Sequence, residues 1–263
     1  MRFTACRDVD SVSTTPRPIA LVTGGSRGIG AETARLLALA GFDVAINYHT
    51  NTEAAGSVLN EIKEEGGSGF IIQGDIGCEA DIDRLFEKID QRAGHLGVLV
   101  NNAGILSTQS ALADMSSQRI RHIIETNVVG TLLCTREAVR RMSRRFGGEG
   151  GSIVNVSSAA SRLGSPDEYV DYAASKGAID TLTLGLAKEE GPYGIRVNAV
   201  RPGFIDTDIH RDGGEPGRVA RLAGSIPLKR GGTAREVADA IVWLISDEAS
   251  YVNGALLDIA GGR

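Results

Sequence analysis

The fold is indicated most strongly by the segment Ile19-Ala-Leu-Val-Thr-Gly-Gly-Ser-Arg-Gly-Ile-Gly30. Its first part, Ile19–Thr23, is an apolar run typical of a buried strand, and a helical pattern follows the last glycine and continues to Ala40. The glycines permit unusual backbone dihedrals and let N–H groups approach a pyrophosphate, whose charge the following helix N-terminus stabilises. The stretch therefore predicts a dinucleotide-binding loop. A tight structural turn is the alternative, because the glycine spacing differs from the commoner Gly-x-Gly-x-x-Gly pattern.

The rest of the chain alternates apolar, strand-like runs with helical stretches. In one of these stretches Ile82, Leu85, Phe86 and Ile89 form a single apolar stripe, which is typical of a helix that packs on a core. The alternation predicts one α/β domain with a Rossmann-type, doubly wound parallel sheet of about seven strands, helices on both faces and a ligand crevice at the strand C-terminal ends. The later predicted strands are Val44–Ile46, Phe70–Ile72, Val98–Val100, Ile153–Val156, Ile195–Val200 and Leu256–Ile259.

Length, charge and cysteine content narrow the class further. The chain has 263 residues, 42% of them hydrophobic, and a net charge of −5, so one sizeable core is expected and no nucleic-acid or membrane-surface partner. Cys6, Cys78 and Cys134 lack ligand spacing, which argues against a disulfide framework or a metal site and favours the cytoplasm. Residues 1–17 contain no signal-like apolar core and are predicted to be a disordered extension, so that residues 18–263 form the domain.

Tyr172 and Lys176 are the candidate catalytic pair, within Tyr-Ala-Ala-Ser-Lys. Their four-residue spacing places a phenol and an ammonium on one face of a helix. A fixed cation would stabilise the phenolate and lower the pKa of the phenol from about 10 towards neutrality. The pair is therefore predicted to donate and accept protons, with an ordinary solvated helix face as the alternative.

With its further motifs the chain resembles the short-chain dehydrogenase/reductase family from residue 18 to the C-terminus. It is most similar to the NADP-dependent 3-oxoacyl reductase and glucose dehydrogenase-like members. The resemblance implies hydride transfer between a nicotinamide cofactor and a carbonyl or secondary alcohol. The motifs that carry it are Thr23-Gly24-x-x-x-Gly28-x-Gly30, Asn101-Asn-Ala-Gly104, Asn127, Ser157-Ser158, Tyr172-x-x-x-Lys176 and Pro202-Gly203.

The resemblance also implies roles for four catalytic residues. Tyr172 would act as the general acid or base, and Lys176 would keep it acidic and bind the nicotinamide ribose. Ser158 would hold the substrate oxygen, and Asn127 would anchor a water that passes protons to Lys176. Ser157 is the alternative to Ser158, which precedes Tyr172 by one residue more than in many relatives and so indicates an insertion in the intervening loop.

The predicted cofactor-binding residues follow the same family pattern. Asp75 and Ile76 would meet the adenine, and Pro202, Ile205 and Thr207 would border the nicotinamide. Asp75 could instead cap the following helix, and Asn-Ala-Gly and Pro-Gly could be ordinary turns. The full predicted set is Gly24, Ser26, Arg27, Gly28, Ile29, Gly30, Tyr48, His49, Asp75, Ile76, Asn102, Ala103, Gly104, Tyr172, Lys176, Pro202, Gly203, Ile205 and Thr207.

Cofactor choice depends on what surrounds the ribose 2′ position. A carboxylate after the second strand would bind the hydroxyl of NAD(H) and repel the phosphate of NADP(H). The stretch Ala45–Thr50 contains none, whereas the guanidinium of Arg27 could bind a phosphate, with Tyr48 and His49 nearby. NADP(H) is therefore predicted to be preferred over NAD(H). His49 as an ordinary exposed loop residue is the alternative.

The substrate is expected to be a small carbonyl or alcohol beneath a lid at residues 204–226, whose glycines favour mobility. His210 and Arg211 could contact an anionic or polyhydroxylated substrate or be ordinary surface residues.

An NADP(H)-sensing regulator and a nucleotide-sugar epimerase or dehydratase are the alternative functions. The family resemblance implies a homotetramer. Leu163, Pro166 and Tyr169 are predicted to add an apolar wall, and Ala173, Ala174, Gly177 and Ala178 a small-residue helix surface.

Overall fold

The computed structural model describes residues 16–263, except for the side chain of His210. The predicted extension at residues 1–17, including Cys6, therefore lies outside the described residues apart from its last two positions. Within the described part of the chain, no helix combines the length and the apolar character needed to cross a membrane.

The strands are β1 (Ile19–Val22), β2 (Asp43–Tyr48), β3 (Ser68–Gln73), β4 (Leu96–Asn101), β5 (Gly151–Val156), β6 (Ile195–Pro202), β7 (Ile205–Asp206), β8 (Gly232–Thr233) and β9 (Leu256–Ile259). Seven of them form one parallel sheet in the order β3-β2-β1-β4-β5-β6-β9, and β7 pairs with β8. Every predicted strand lies within an observed one, apart from Thr23, which follows β1. The predicted doubly wound parallel sheet is confirmed.

The helices are α1 (Gly28–Leu39), α2 (Thr52–Glu64), α3 (Glu79–Asp90), α4 (Ser117–Ile124), α5 (Thr131–Met142), α6 (Ala160–Leu163), α7 (Val170–Glu190), α8 (Ile209–Asp212), α9 (Arg218–Leu222) and α10 (Ala234–Ile245). The apolar faces of α1, α2 and α10 share one core with one side of the sheet, and those of α3, α5 and α7 share a second core with the other side. The predicted stripe on α3 is buried. The domain is therefore three-layered, with helices on both faces.

The topology fixes where a ligand can bind. The strand order reverses between β1 and β4, and in such sheets the crevice lies at the C-terminal ends of the strands around this switch point. A π-helical segment, Glu125–Gly130, joins α4 to α5 and packs closely on the segment after β3, since a Cβ on Gly130 would lie 2.2 Å from the Ile76 carbonyl oxygen. Such segments occur often at functional sites, and this one was not predicted from the sequence.

Candidate active site

A cleft of about 890 Å³ runs along the C-terminal ends of the strands, within the size range of ligand pockets. Gly30 and Asn127 are the two predicted site residues that do not border it. The predicted residues that do border it are Gly24, Ser26, Arg27, Gly28, Ile29, Tyr48, His49, Asp75, Ile76, Asn102, Ala103, Gly104, Ser158, Tyr172, Lys176, Pro202, Gly203, Ile205 and Thr207.

The glycine loop between β1 and α1 needs its glycines for two different reasons. Gly24 and Gly28 have φ angles of +61° and +53°, a region that favours glycine. Gly30 needs space instead, because a Cβ there would lie 2.4 Å from the Gly24 carbonyl oxygen and 2.5 Å from Asn102 Nδ2. The prediction of unusual dihedrals therefore holds for the first two glycines and is wrong for Gly30.

Buried and half-buried polar side chains hold this loop in place. Asn102 Nδ2 donates to the carbonyl oxygens of Thr23 (2.9 Å) and Gly24 (3.0 Å), and Thr23 Oγ1 accepts from the backbone N–H of Asn102 at 3.0 Å. Asn47, within the buried β2 strand, accepts from Gly24 N–H at 3.3 Å and donates to the Gly74 carbonyl at 3.0 Å. Sequence reasoning missed Asn47, although a polar residue inside a buried strand was a signal that could have identified it.

The candidate catalytic pair lies on one face of α7, as its spacing predicted. Lys176 Nζ is 5.5 Å from the centre of the Tyr172 ring and donates to the Val156 carbonyl at the end of β5, at 2.8 Å. The Ser158 side chain borders the cleft and lies near enough to the Tyr172 phenol to lower its pKa. Ser157 is buried, and its hydroxyl donates to the Lys176 carbonyl at 3.2 Å. The structure thus brings Ser158, and not Ser157, to the phenol.

Burial dominates the electrostatics of this pair. It raises the pKa of Tyr172 to about 12, against a smaller lowering by the hydrogen bond from Ser158. Burial also lowers the pKa of Lys176 to about 8, against the charge of Asp180 one turn later. The sequence-based expectation that Lys176 lowers the phenol pKa is therefore not met by the protein's own groups. At neutral pH the pair consists of a phenol that can donate a proton and a buried ammonium beside it.

Asn127 lies behind the cleft wall, in the π-helical segment. Its side chain accepts from Ile105 N–H at 2.8 Å and donates to the Ile105 carbonyl at 3.0 Å and to Ser175 Oγ at 3.1 Å. Ser175 in turn donates to the Tyr172 carbonyl at 2.7 Å. A Cβ on Gly104 would lie 3.4 Å from both Asn127 Oδ1 and Lys176 Nζ. Asn127 therefore ties the cleft wall to the catalytic helix.

The end of the cleft beside β2 contains the residues predicted to meet the adenosine. Asp75 Oδ1 accepts from Gly77 N–H at 2.8 Å, and Cys78 is the N-cap of α3, so the alternative that Asp75 caps this helix is wrong. His49 is exposed, with Nε2 3.8 Å from Asp75 Oδ2. Arg27 has a partner that the sequence did not predict, because its Nη2 donates to Asp212 Oδ2 at 2.5 Å.

The other end of the cleft is bordered by residues of the segment 204–226. The buried guanidinium of Arg218 lies 5.2 Å from the Tyr169 ring and 5.5 Å from the Phe204 ring. It pairs with Glu168 and, at 2.8 Å, with Glu215. Leu163, Pro166 and Tyr169 border the cleft, as does Arg263. No local pattern in the sequence indicated Glu168, Arg218 or Arg263, which come to the cleft only in the folded chain.

Comparisons with known proteins agree with this geometry. The family described as Enoyl-(Acyl carrier protein) reductase matches residues 24–263. The chain is 60% identical over 245 residues to the uncharacterized oxidoreductase YgfF of Escherichia coli, covering 93% of this chain and 99% of that protein. It is 37% identical over 243 residues to the 3-oxoacyl-[acyl-carrier-protein] reductase FabG of Staphylococcus aureus, covering 92% and 96%. A short-chain dehydrogenase from Burkholderia cenocepacia, solved in complex with NADP, superposes with a TM-score of 0.84 at 35% identity, covering 94% and 97%.

The doubly wound fold and its cleft define an oxidoreductase that uses a nicotinamide cofactor. More particularly, the chain belongs to the short-chain dehydrogenase/reductase family and acts on CH–OH or C=O groups.

Proposed function

We propose that the protein is an NADP(H)-dependent oxidoreductase that interconverts a carbonyl and a secondary alcohol with Tyr172 as general acid and base. The observation that carries the proposal is the placement of Tyr172, Lys176 and Ser158 together on the wall of the cleft that begins at the glycine loop. This loop fits a dinucleotide because Gly24 and Gly28 take left-handed backbone angles, which let backbone N–H groups face a pyrophosphate. When bound, the nicotinamide supplies or accepts the hydride.

The chain's own residues then handle the proton and the substrate oxygen. Tyr172 gives its proton to the carbonyl oxygen in reduction and takes it back in oxidation. Ser158 hydrogen-bonds the same oxygen and stabilises the charge that develops on it. Lys176 is held by the Val156 carbonyl and borders the cleft, where its ammonium would bind the nicotinamide ribose. Asn127 orients the Ile105 segment and anchors the water that returns protons to Lys176.

The preference for NADP(H) is supported by charge at the end of the cleft beside β2. His49, Thr50 and Asn51 follow β2 and border the cleft, so no carboxylate after this strand would repel a 2′-phosphate. Arg27 offers a guanidinium from the glycine loop. The similarity to the Burkholderia cenocepacia dehydrogenase, which was solved with NADP, also supports this preference for NADP(H).

The remaining parts of the proposal concern the substrate and the assembly. Residues 204–226 form a lid over a small carbonyl or alcohol substrate, and similarity to a 3-oxoacyl reductase makes acyl thioesters the first class to test, followed by polyols. We further propose a cytoplasmic homotetramer, with residues 1–17 as an extension outside the 18–263 domain. Light scattering tests the assembly, and a monomer would reject it.

The function is tested with a panel of 3-oxoacyl thioesters, ketones, sugars and alcohols, each assayed with NADP(H) and NAD(H) by absorbance of the reduced nicotinamide. We expect turnover with at least one substrate class and a higher kcat/KM with NADP(H). Higher kcat/KM with NAD(H) would refute the cofactor preference. Binding of NADPH without turnover of any compound would favour a sensor, and an isomerised or dehydrated product without net cofactor consumption would favour an epimerase or dehydratase.

A further inference from the structure

Arg27 joins the glycine loop to the segment that covers the cleft. It directly precedes α1, and its partner Asp212 is the last residue of α8. The glycine loop and the covering segment also lie close together beside this pair, since a Cβ on Gly28 would lie 3.3 Å from Thr207 Cγ2. The Arg27 and Asp212 side chains are 55% and 42% exposed, so a ligand can reach them.

A carboxylate and a phosphate are the same kind of partner for a guanidinium, because both offer oxygens that accept from its planar fork of N–H groups. Two other acidic groups of the segment bond elsewhere. Asp208 pairs with Arg211 at 3.2 Å, and Glu215 pairs with Arg218 and Arg221. Asp212 is therefore the lid carboxylate that would meet a phosphate arriving at Arg27.

We propose that Asp212 is a specificity-determining residue that weakens the binding of NADP(H) relative to NAD(H), because its carboxylate holds the guanidinium that the 2′-phosphate requires. Binding of the phosphate releases α8 from the glycine loop, whereas a cofactor with a free 2′-hydroxyl leaves the ion pair in place. The inference rests on the proposed function, in which Arg27 binds the 2′-phosphate.

The size of the effect follows from the exposure of the pair. Ion pairs with this degree of exposure contribute a fraction of what buried pairs do, so removal of the competing carboxylate should change an affinity by about twofold to fivefold. Salt screens exposed charges, so the effect should be largest at low ionic strength and shrink as salt is added.

The test measures the dissociation constants of NADPH and NADH by fluorescence titration of the full chain. Asp212→Asn should bind NADPH about twofold to fivefold more tightly and leave NADH binding unchanged. Asp208→Asn is the matched control, because it removes a lid charge that pairs with Arg211, and it should leave the ratio of the two constants unchanged. In an Arg27→Ala background, Asp212→Asn should no longer alter that ratio.

Two outcomes overturn the inference in different ways. In the first, Arg27→Ala weakens the binding of NADPH but not of NADH, and the ratio of the two dissociation constants either does not change in Asp212→Asn or changes equally in Asp208→Asn. Asp212 then has no specific role, and the proposed cofactor preference stands. In the second, Arg27→Ala leaves the ratio of the two dissociation constants unchanged. Arg27 then does not bind the 2′-phosphate, and both the cofactor argument and the inference fail.

Discussion

The catalytic wall, formed by Ser158, Tyr172 and Lys176, and the lid at residues 204–226 border the same cleft but are held by different forces. On the wall, buried polar groups bond to backbone atoms, as Lys176 does to the Val156 carbonyl. The lid is held in part by charged side chains, through Arg218 with Glu168 and through Asp212 with Arg27. Backbone contacts fix a geometry, whereas ion pairs with partly exposed partners can exchange one partner for another. The wall is therefore expected to hold its proposed proton donor in one position, whereas the lid can move.

The largest expected effect is on the wall side. Tyr172→Phe removes the proposed proton donor and should lower turnover by about 10²–10⁴-fold while leaving the NADPH dissociation constant within about twofold of the wild type. Stopped-flow and binding titrations measure both. Tyr169→Phe is the control, since that phenol donates to the Gly213 carbonyl of the lid and its loss should act mainly on KM. A greater loss of turnover in Tyr169→Phe than in Tyr172→Phe would reverse the assignment.

Ser158 and Ser157 are neighbours in sequence, but we expect replacement of Ser158 to lower turnover and replacement of Ser157 to lower stability. Ser158→Ala removes the hydroxyl that is proposed to hydrogen-bond the reacting oxygen and should lower kcat about 10²-fold. Ser157→Ala removes a buried hydrogen bond to the Lys176 carbonyl and should cost about 1 kcal/mol of unfolding free energy, with kcat within about threefold of the wild type. Steady-state kinetics and urea denaturation of both variants check this. An equal loss of kcat in the two variants would contradict the assignment of Ser158.

Lys176 is expected to lower the stability of the folded protein at neutral pH while it supports turnover. Its pKa is about 8 in the folded protein, against an ordinary value of 10.5, so between these pH values the unfolded chain binds more protons and stability rises with pH. Lys176→Met should abolish efficient turnover yet raise the unfolding free energy at pH 7 by about 2 kcal/mol, after the lost hydrogen bond is subtracted. This gain should fall as the pH rises above 8 and become a small loss near pH 10.5, where only the lost hydrogen bond still counts.

Urea denaturation across this pH range measures the effect, with Lys188→Met as the control because Lys188 is exposed on the same helix. A gain in stability that is the same at every pH, or no larger than that of the control, would contradict the burial argument.

The smallest expected effect is on the lid. Arg218→Met keeps the apolar stem but breaks the pairs with Glu168 and Glu215, which should cost about 1–2 kcal/mol of local stability. Backbone amides of residues 209–222 should then exchange hydrogen about tenfold faster. Arg221→Met is the control, since Arg221 also bonds Glu215 but is 53% exposed. Equal exchange rates in the two variants would show that the buried pair does not hold the lid.

Local patterns predicted the glycine loop and the pairing of Tyr172 with Lys176, and the segment 204–226 was predicted as a lid, but the contacts that hold this lid were not predicted. Strand, glycine turn and helix follow one another in the chain, and Tyr172 and Lys176 are one helical turn apart, so their arrangement depends on neighbours in sequence. The pairs of Arg218 with Glu168 and of Arg27 with Asp212 join residues 50 and 185 positions apart. The direction of the Tyr172 pKa shift also depends on burial, which the spacing of two residues does not reveal.

The most direct test of hydride transfer at this wall uses NADPH that carries deuterium at C4 of the nicotinamide, prepared separately for each face of the ring. With a carbonyl substrate from the panel, mass spectrometry of the alcohol should find one deuterium on the carbinol carbon for one of the two labelled forms, and its rate of formation should fall in Tyr172→Phe. An alcohol without deuterium from either form, or a rate that Tyr172→Phe leaves unchanged, would contradict the proposed reaction.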